Sequence, residues 1–291
     1  MRKILAWAIL FALMSVSVTA TESTAPLRGW YPNIGAGVRA LGMGGAFTAV
    51  ADDLSTALWN PAGFENVDAG KVDFMHTDLF GMGISYDYFA ATCNLPVLGR
   101  SGLTLTRLDA SSALAFPYNE TAFYLSKAKA AQLPLIGFAQ LGMNIKVLPV
   151  KFESAEFDVS ALGLGFDLGI LVEKGKFRFG GMLNDPYTVM RGKKAESGVL
   201  DSDINEKLVP VFSLGAAYAP DDLTVIAVDH NQGWRLGVER EVAPGIALRA
   251  GINGGSLSAG FGIKAGNIRV EYSFQQDNLG DAHRIGLGME M

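Results

Sequence analysis

From Gly70 onward the chain alternates apolar and polar residues with a period of two, and this restricts it to sheet structure before any other feature is weighed. The clearest stretch sets Ile268, Val270, Tyr272 and Phe274 against Arg269, Glu271, Ser273 and Gln275. Successive side chains of a strand point to opposite faces, so one such strand carries one apolar and one polar face. The pattern recurs. Leu257, Ala259, Phe261 and Ile263 oppose Ser258, Gly260, Gly262 and Lys264, Ile246, Leu248, Ala250 and Ile252 oppose Ala247, Arg249 and Gly251, and Trp234, Leu236 and Val238 oppose Arg235, Gly237 and Glu239. Read throughout, the alternation predicts about 14 strands, near residues 71–79, 84–94, 102–109, 118–129, 135–149, 156–172, 176–184, 208–218, 223–230, 234–241, 246–252, 256–264, 268–276 and 283–291.

Composition decides what those strands lie in. Hydrophobic residues make up 49% of the chain, there are 35 glycines and the mean hydropathy is +0.23, yet no stretch after the N-terminus reads as a spanning helix. In lipid every backbone polar group must be paired internally, and short strands closed into a cylinder do this without any strongly hydrophobic segment. The expected fold is therefore all-β, a transmembrane antiparallel β-barrel of about 14 strands whose lumen is lined by small residues and mixed charges. An even count places both chain ends on one side. The longest gaps from the third strand on, near 110–117, 185–207 and 277–282, all follow odd-numbered strands, while the even connections are tight, as at Glu173–Lys176 and Ala243–Gly245. Long loops outside and short turns inside is the asymmetry of outer-membrane barrels, which puts the termini in the periplasm. The polar stretch from Asp185 to Leu208 is expected as the main surface loop.

The N-terminus supplies an address. Arg2-Lys3, an apolar run from Ile4 to Met14 and the small residues up to Ala20 fit a secretory signal peptide cut after Ala20. Its removal leaves 22 Lys and Arg against 29 Asp and Glu, an acidic chain with no basic surface for nucleic acid. Cys93, the single cysteine, forms no internal disulfide and reads as a small residue on a strand. The resulting division is a signal peptide over 1–20, a plug or hatch over 21–69 and the barrel over 70–291.

The plug is read from Arg39 to Gly63. Gly42, Gly44 and Gly45 permit close backbone approach, Asp52 or Asp53 is placed to cap a short helix over Thr56–Trp59, and Asn60-Pro61-Ala62-Gly63 ends it in a turn. The ordered combination Arg39-Ala40-Leu41-Gly42-Met43-Gly44-Gly45, then Ala49-Val50-Ala51-Asp52-Asp53, then Trp59-Asn60-Pro61-Ala62-Gly63 resembles the N-terminal hatch of outer-membrane barrels of the FadL superfamily, and still more closely its PorV/PorQ-like branch. Water channels also carry Asn-Pro-Ala, but on two half-helices of a helical bundle, and this chain has one copy. The resemblance extends to the strand number and to Tyr272-Ser-Phe and Gly280-Asp-Ala-His283-Arg284. It departs at Met291, where such barrels end on an aromatic residue read by the barrel assembly machinery, and in its shorter surface loops.

The resemblance implies a lumenal hatch and passage of hydrophobic small molecules of fatty-acid or aromatic-hydrocarbon type, with Met43, Phe47, Leu58, Trp59 and Phe64 as candidate pocket residues. Plain packing against the wall competes with that role at each. The PorV side implies instead an accessory barrel of a secretion system that binds translocon or cargo, and a purely structural barrel is the third reading. Chemistry is sparse. His76 and His283 fall on strands that barrel closure makes neighbours, without a ligand set of metal spacing. Asp229-His230 with Ser258 or Ser273 lacks a triad, and Asp52-Asp53 offers too few oxygens for Ca²⁺. No cofactor, metal or enzymatic activity is expected. The partners are outer-membrane lipid, a hydrophobic solute, the assembly machinery during insertion and a possible secretion component.

Overall fold

The computed structural model describes residues 34–113, 118–134, 136–153, 157–196 and 202–291. The expected signal peptide, its cleavage point and residues 21–33 of the expected hatch lie outside them. The strands are β1 (Lys71–Leu79), β2 (Ile84–Leu95), β3 (Gly99–Asp109), β4 (Tyr118–Leu133), β5 (Gly137–Glu153), β6 (Phe157–Lys174), β7 (Phe177–Glu196), β8 (Ser202–Lys207), β9 (Val211–Asp221), β10 (Thr224–His230), β11 (Trp234–Ala243), β12 (Ile246–Asn253), β13 (Ser256–Ala265), β14 (Ile268–Gln275) and β15 (Ala282–Glu290). Each pairs antiparallel with its neighbours, and β15 returns to β1 in a register running from Lys71↔Glu290 to Asp78↔His283. Because β7 pairs with both β6 and β9, fourteen strands close the ring and β8 stands outside it, paired with β7 alone. The Met291 amide donates to the Gly70 carbonyl at 2.7 Å, so the two ends of the barrel domain meet at one rim, here called the terminal rim.

The stretch expected as the main surface loop is a correction. β7 runs on to Glu196 and β8 returns beside it, from Val189↔Lys207 to Lys194↔Ser202. Past the lipid both faces of a strand meet water, so this hairpin keeps its pairing while losing the apolar alternation that would have revealed it. The neighbouring β5 and β6 are also longer than the alternation indicated, at 17 and 18 residues, whereas β10, β12 and β14 span 7, 8 and 8. The rim opposite the termini therefore rises on the side of β4 to β8 and stays low elsewhere.

Lipid-side and lumen-side residues divide as the alternation requires. Trp234, Leu236, Leu248, Leu257, Phe261, Ile285 and Leu287 are exposed on the outer face, part of an apolar belt far larger than a water-soluble monomer carries. Among the described residues no helix is long and apolar enough to cross a membrane. The crossing elements are strands. The interior is filled by the hatch, comprising α1 (Val38–Gly42), α2 (Thr56–Trp59) and a 3-10 turn (Pro61–Asn66). Met43, Phe47, Val50, Leu54 and Trp59 form one buried cluster with Met75, Tyr86 and Tyr88 of the wall, so the core sits inside the bore. α2 stops where the sequence indicates, with Asn60 extended at φ −172° ahead of Pro61.

The belt generates a depth-dependent expectation. Phe261 lies mid-strand, facing outward between Leu248 and Tyr272. Phe261→Arg is expected to destabilise the lipid-embedded barrel by about 2 kcal/mol or more, read from urea unfolding in liposomes.

Candidate functional site

The hatch reaches its seat because the wall is stripped of side chains where the two touch. Gly142 and Gly169 face one another across β5 and β6, Gly180 and Gly215 across β7 and β9, and Gly237 and Gly251 across β11 and β12. A Cβ at Gly142 would lie 2.1 Å from the Ala62 nitrogen, and one at Gly251 2.3 Å from that of Gly44. Hatch backbone thus rests directly on wall backbone. Gly44 and Gly45 also hold φ of 67° and 73°, while Gly42 is helical and packs at ordinary contact distance on Arg249 and Gly260.

Charge joins the plug to strands around the ring. Arg39 of α1 pairs with Asp52, with Asp53 at 3.3 Å and with Glu239 of β11 at 2.8 Å. Asp52 continues to Arg178 of β7 at 3.2 Å. On the other side Glu239 meets Arg249 at 2.6 Å, Arg249 meets Glu271 at 2.9 Å, Glu271 meets Arg269 at 3.3 Å and Arg269 meets Asp73 of β1 at 2.9 Å. Alternating charges therefore run without a break from β7 through the hatch to β1. Burial by itself would raise the Asp52 carboxyl, but the guanidinium groups of Arg39 and Arg178 outweigh it and hold its pKa below the usual aspartate range. Burial pulls Arg39 down, and Asp52, Glu239 and Asp53 more than reverse this.

Of the two residues expected as caps, Asp52 is taken up by this relay, while Asp53 stays at the start of α2, its carbonyl accepting from the Thr56 amide at 3.2 Å. Asp53 Oδ1 accepts from the Ser55 amide at 2.9 Å and the Ser55 hydroxyl at 2.6 Å, a local turn, and Ser55 at the start of α2 makes no side-chain cap. A wall carboxylate instead receives orphan hatch amides: Asp229 Oδ2 accepts from the nitrogens of Phe47 and Thr48 at 2.8 and 2.7 Å. His230 is exposed and packs on Trp234, so the Asp229-His230 pair points to opposite faces as the strand period demands. Asn60 donates to the carbonyls of Thr48 and Ile170 at 2.8 and 2.9 Å, and Asn144 of β5 donates to that of Ala57 at 2.7 Å. Pro61, Ala62 and Gly63 are buried in the 3-10 turn, with the Ala62 amide donating to Asn60 Oδ1 at 3.2 Å.

The candidate pocket residues separate into two groups. Met43, Phe47 and Phe64 are buried against the wall, Phe64 over Gly102 and Met43 over Gly237 and Gly251. Leu58 and Trp59 instead line a cleft on the side of the hatch away from the termini, with Lys146, Asp167, Asp185 and Arg235 around them. It holds about 30 Å³, the share of a single water. Lys146, 2% exposed, bridges Asp167 at 2.7 Å and Asp185 at 2.5 Å. Asp185 sits at φ 55° where the β6–β7 register jumps between Phe166↔Tyr187 and Leu168↔Leu183, and Thr188 holds it at 2.6 Å. Arg235 lies over the Trp59 ring at 5.7 Å. At the terminal rim a second crevice of about 240 Å³ is bordered by Arg39, Asp52, Asp53, Asp73 and Arg269. Trp59 itself is fixed by its Nε1–H, which donates to Ala36 at 2.7 Å.

His76 bonds Asp87 at 2.7 Å and His283 bonds Tyr272 at 2.8 Å, both on exposed positions, and β1 sets His76 opposite Ile285. Closure makes their strands neighbours without bringing the two rings together. Among the described residues no cluster of His, Cys, Asp or Glu is arranged to hold a metal.

No family model matches the chain, and no curated protein does. Solved structures do. A monoaromatic hydrocarbon channel, TodX, in a deltaS2 mutant form superposes with a TM-score of 0.58 at 13% identity, over 87% of this chain and 97% of that one. The toluene transporter TodX of Pseudomonas putida gives 0.55 at 12%, over 87% and 96%. A Pseudomonas aeruginosa FadL homologue gives 0.52 at 12%, over 87% and 98%. At these identities the shared property is the fold, a closed antiparallel β-barrel.

Two outcomes follow from the charge relay. Arg39→Ala leaves Asp52 and Glu239 short of their main partner and is expected to cost about 3 kcal/mol of hatch attachment, read as faster proteolysis within residues 34–69. The folded Asp52 pKa lies below its unfolded value, so its contribution is complete above about pH 4 and is lost as pH falls through the folded value. Hatch amides are expected to keep their protection from hydrogen exchange between about pH 5 and 8 and to lose it only below about pH 4.

Proposed function

We propose, proceeding from a barrel fold shared with TodX and a FadL homologue, that this protein is an outer-membrane channel for hydrophobic small molecules, with termini in the periplasm after removal of residues 1–20. The observation that carries the reading is a bore closed by a segment held through ion pairs, hydrogen bonds and an apolar cluster with the wall, with Leu58 and Trp59 lining a cleft on the side away from the termini. An apolar solute gains nothing from those polar bonds but is favoured at the indole and leucine surface. The cleft is too small to hold such a solute while the hatch is seated, so passage requires the hatch to shift. Its polar attachments can re-form through water at modest net cost, while the apolar contacts of Met43, Phe47 and Phe64 with the wall set the cost of the shift. No step of this requires bond chemistry, and the protein is read as a channel and not an enzyme.

Proteoliposomes containing the full chain are expected to take up toluene faster than protein-free liposomes. Trp59→Ala is expected to change that rate, since it removes the cleft floor and the support for Arg235. Equal uptake with and without protein overturns the reading.

A further inference from the structure

Cations are spread unevenly over the outward face of the ring. In the half away from the terminal rim, and among the described residues, the outward positions of β9 to β15 hold no lysine or arginine, and those of β1 to β4 hold Arg107 alone, paired with Asp109 at 3.0 Å. The tall sector differs. Along β7 the outward positions pass from Tyr187 and Val189 to Arg191 and Lys193, both exposed. The register sets Lys207 of β8 beside Val189, Asn205 beside Arg191 and Asp203 beside Lys193, with Leu164 and Leu162 of β6 flanking Val189 and Arg191 on the other side. Lys151 of β5 lies at the level of Lys193, across Ser160, and is held by Glu153. Arg191 and Lys207, the two cations nearest the apolar rows, meet no carboxylate among the described residues, and Lys207 lies over the Tyr187 ring at 5.5 Å.

Same-face neighbours along a strand are about 7 Å apart and diagonal neighbours on adjacent strands about 7–8 Å, so Arg191 has Lys193 on one side and Lys207 on the other within reach of one anion. Like charges set this close repel one another until an anion joins them. Directly below them the wall is apolar and open to the membrane, with Leu162 48%, Leu164 56% and Tyr187 58% exposed. Cations above and hydrocarbon surface below match an amphiphile with an anionic head. A phosphate monoester carries nearly two charges and three acceptor oxygens, enough for the Arg191 fork and both lysines, whereas a single carboxylate satisfies the fork alone. We infer that the outward face of β6 to β8, centred on Arg191 with Lys193 and Lys207, is a docking surface for an acyl lipid bearing phosphate head groups, its chains lying along Leu162, Leu164 and Tyr187. The pairing that lifts β7 and β8 above the rest of the rim is what carries these cations to head-group level. The inference needs a barrel set in lipid and no passage of solute through it.

Native mass spectrometry of the full chain in neutral detergent, titrated with dioleoyl phosphatidic acid, dioleoylglycerol and inorganic phosphate, tests it. Phosphatidic acid is expected to bind at least about 10-fold tighter than the diacylglycerol, since each cation at a membrane surface contributes about 5-fold. Combining Arg191→Gln, Lys193→Gln and Lys207→Gln is expected to weaken phosphatidic acid at least about 10-fold while leaving the diacylglycerol unchanged. Arg107→Gln, at the same height on another sector, is expected to leave both unchanged. Should the triple variant fail to fold, Arg191→Glu alone is expected to weaken phosphatidic acid at least about 5-fold. A phosphatidic acid preference that is absent, that survives the triple substitution or that Arg107→Gln lowers equally overturns the surface. Inorganic phosphate that displaces the lipid at equal concentration also overturns it, since the acyl chains then contribute nothing. Toluene uptake by proteoliposomes of the triple variant is expected to equal that of the unaltered protein, so failure here leaves the channel reading standing, and failure of toluene uptake leaves this surface standing.

Discussion

A closed ring of fourteen strands encloses more space than its own side chains fill, and whatever fills it must satisfy the polar inner face of the wall. The relay of alternating charges from Arg178 to Asp73 meets that constraint. Arg39 lies near its centre, and the wall partners come from β1, β7, β11, β12 and β14, so the plug is bound from several directions instead of packing on one side. A purely apolar plug would take Arg39 from Glu239 and Asp52 from Arg178, while Glu239, Arg249, Glu271, Arg269 and Asp73 keep one another as counter-charges. The wall and its stopper are complementary at two joints, Arg39 with Glu239 and Asp52 with Arg178, each a partly buried charge that loses a partner if the other side is removed.

Contact at backbone distance is the second half of the same design. The three cross-strand glycine pairs let the hatch carbonyls and amides lie against the sheet, and Asp229, Asn60 and Asn144 then reach groups that the short α2 and its turns leave unsatisfied. This explains why the glycine content is high in a chain whose strands would otherwise favour branched residues.

The strand number, the outward set at Trp234, Leu257 and Phe261, and the stop of α2 at Asn60-Pro61 were legible because each follows from a local rule of period or proline geometry. The β7–β8 hairpin was not, since Arg191, Lys193 and Lys194 lie where neither face is lipid and polarity no longer reports pairing. Asp52 and Asp53 read locally as helix caps, and only the wall arginines, more than a hundred residues away, reveal what Asp52 binds. The polar positions of β11, β12 and β14 were visible as a lumenal face, but which charge meets which depends on the closure register.

The seam between β1 and β15 has a bearing on how the molecule is made. The cylinder cannot shut until the last strand arrives, while the stopper is synthesised first, so the stopper has to be in place before the wall is zipped. Arg39 waits some two hundred positions for Glu239, Arg178 arrives midway with β7, and the remaining wall charges of the relay come from β12, β14 and β1. A nascent chain that holds its plug among the early strands thereby presents a ready set of charges to the late ones, which orders the end of assembly and disfavours a cylinder that seals empty.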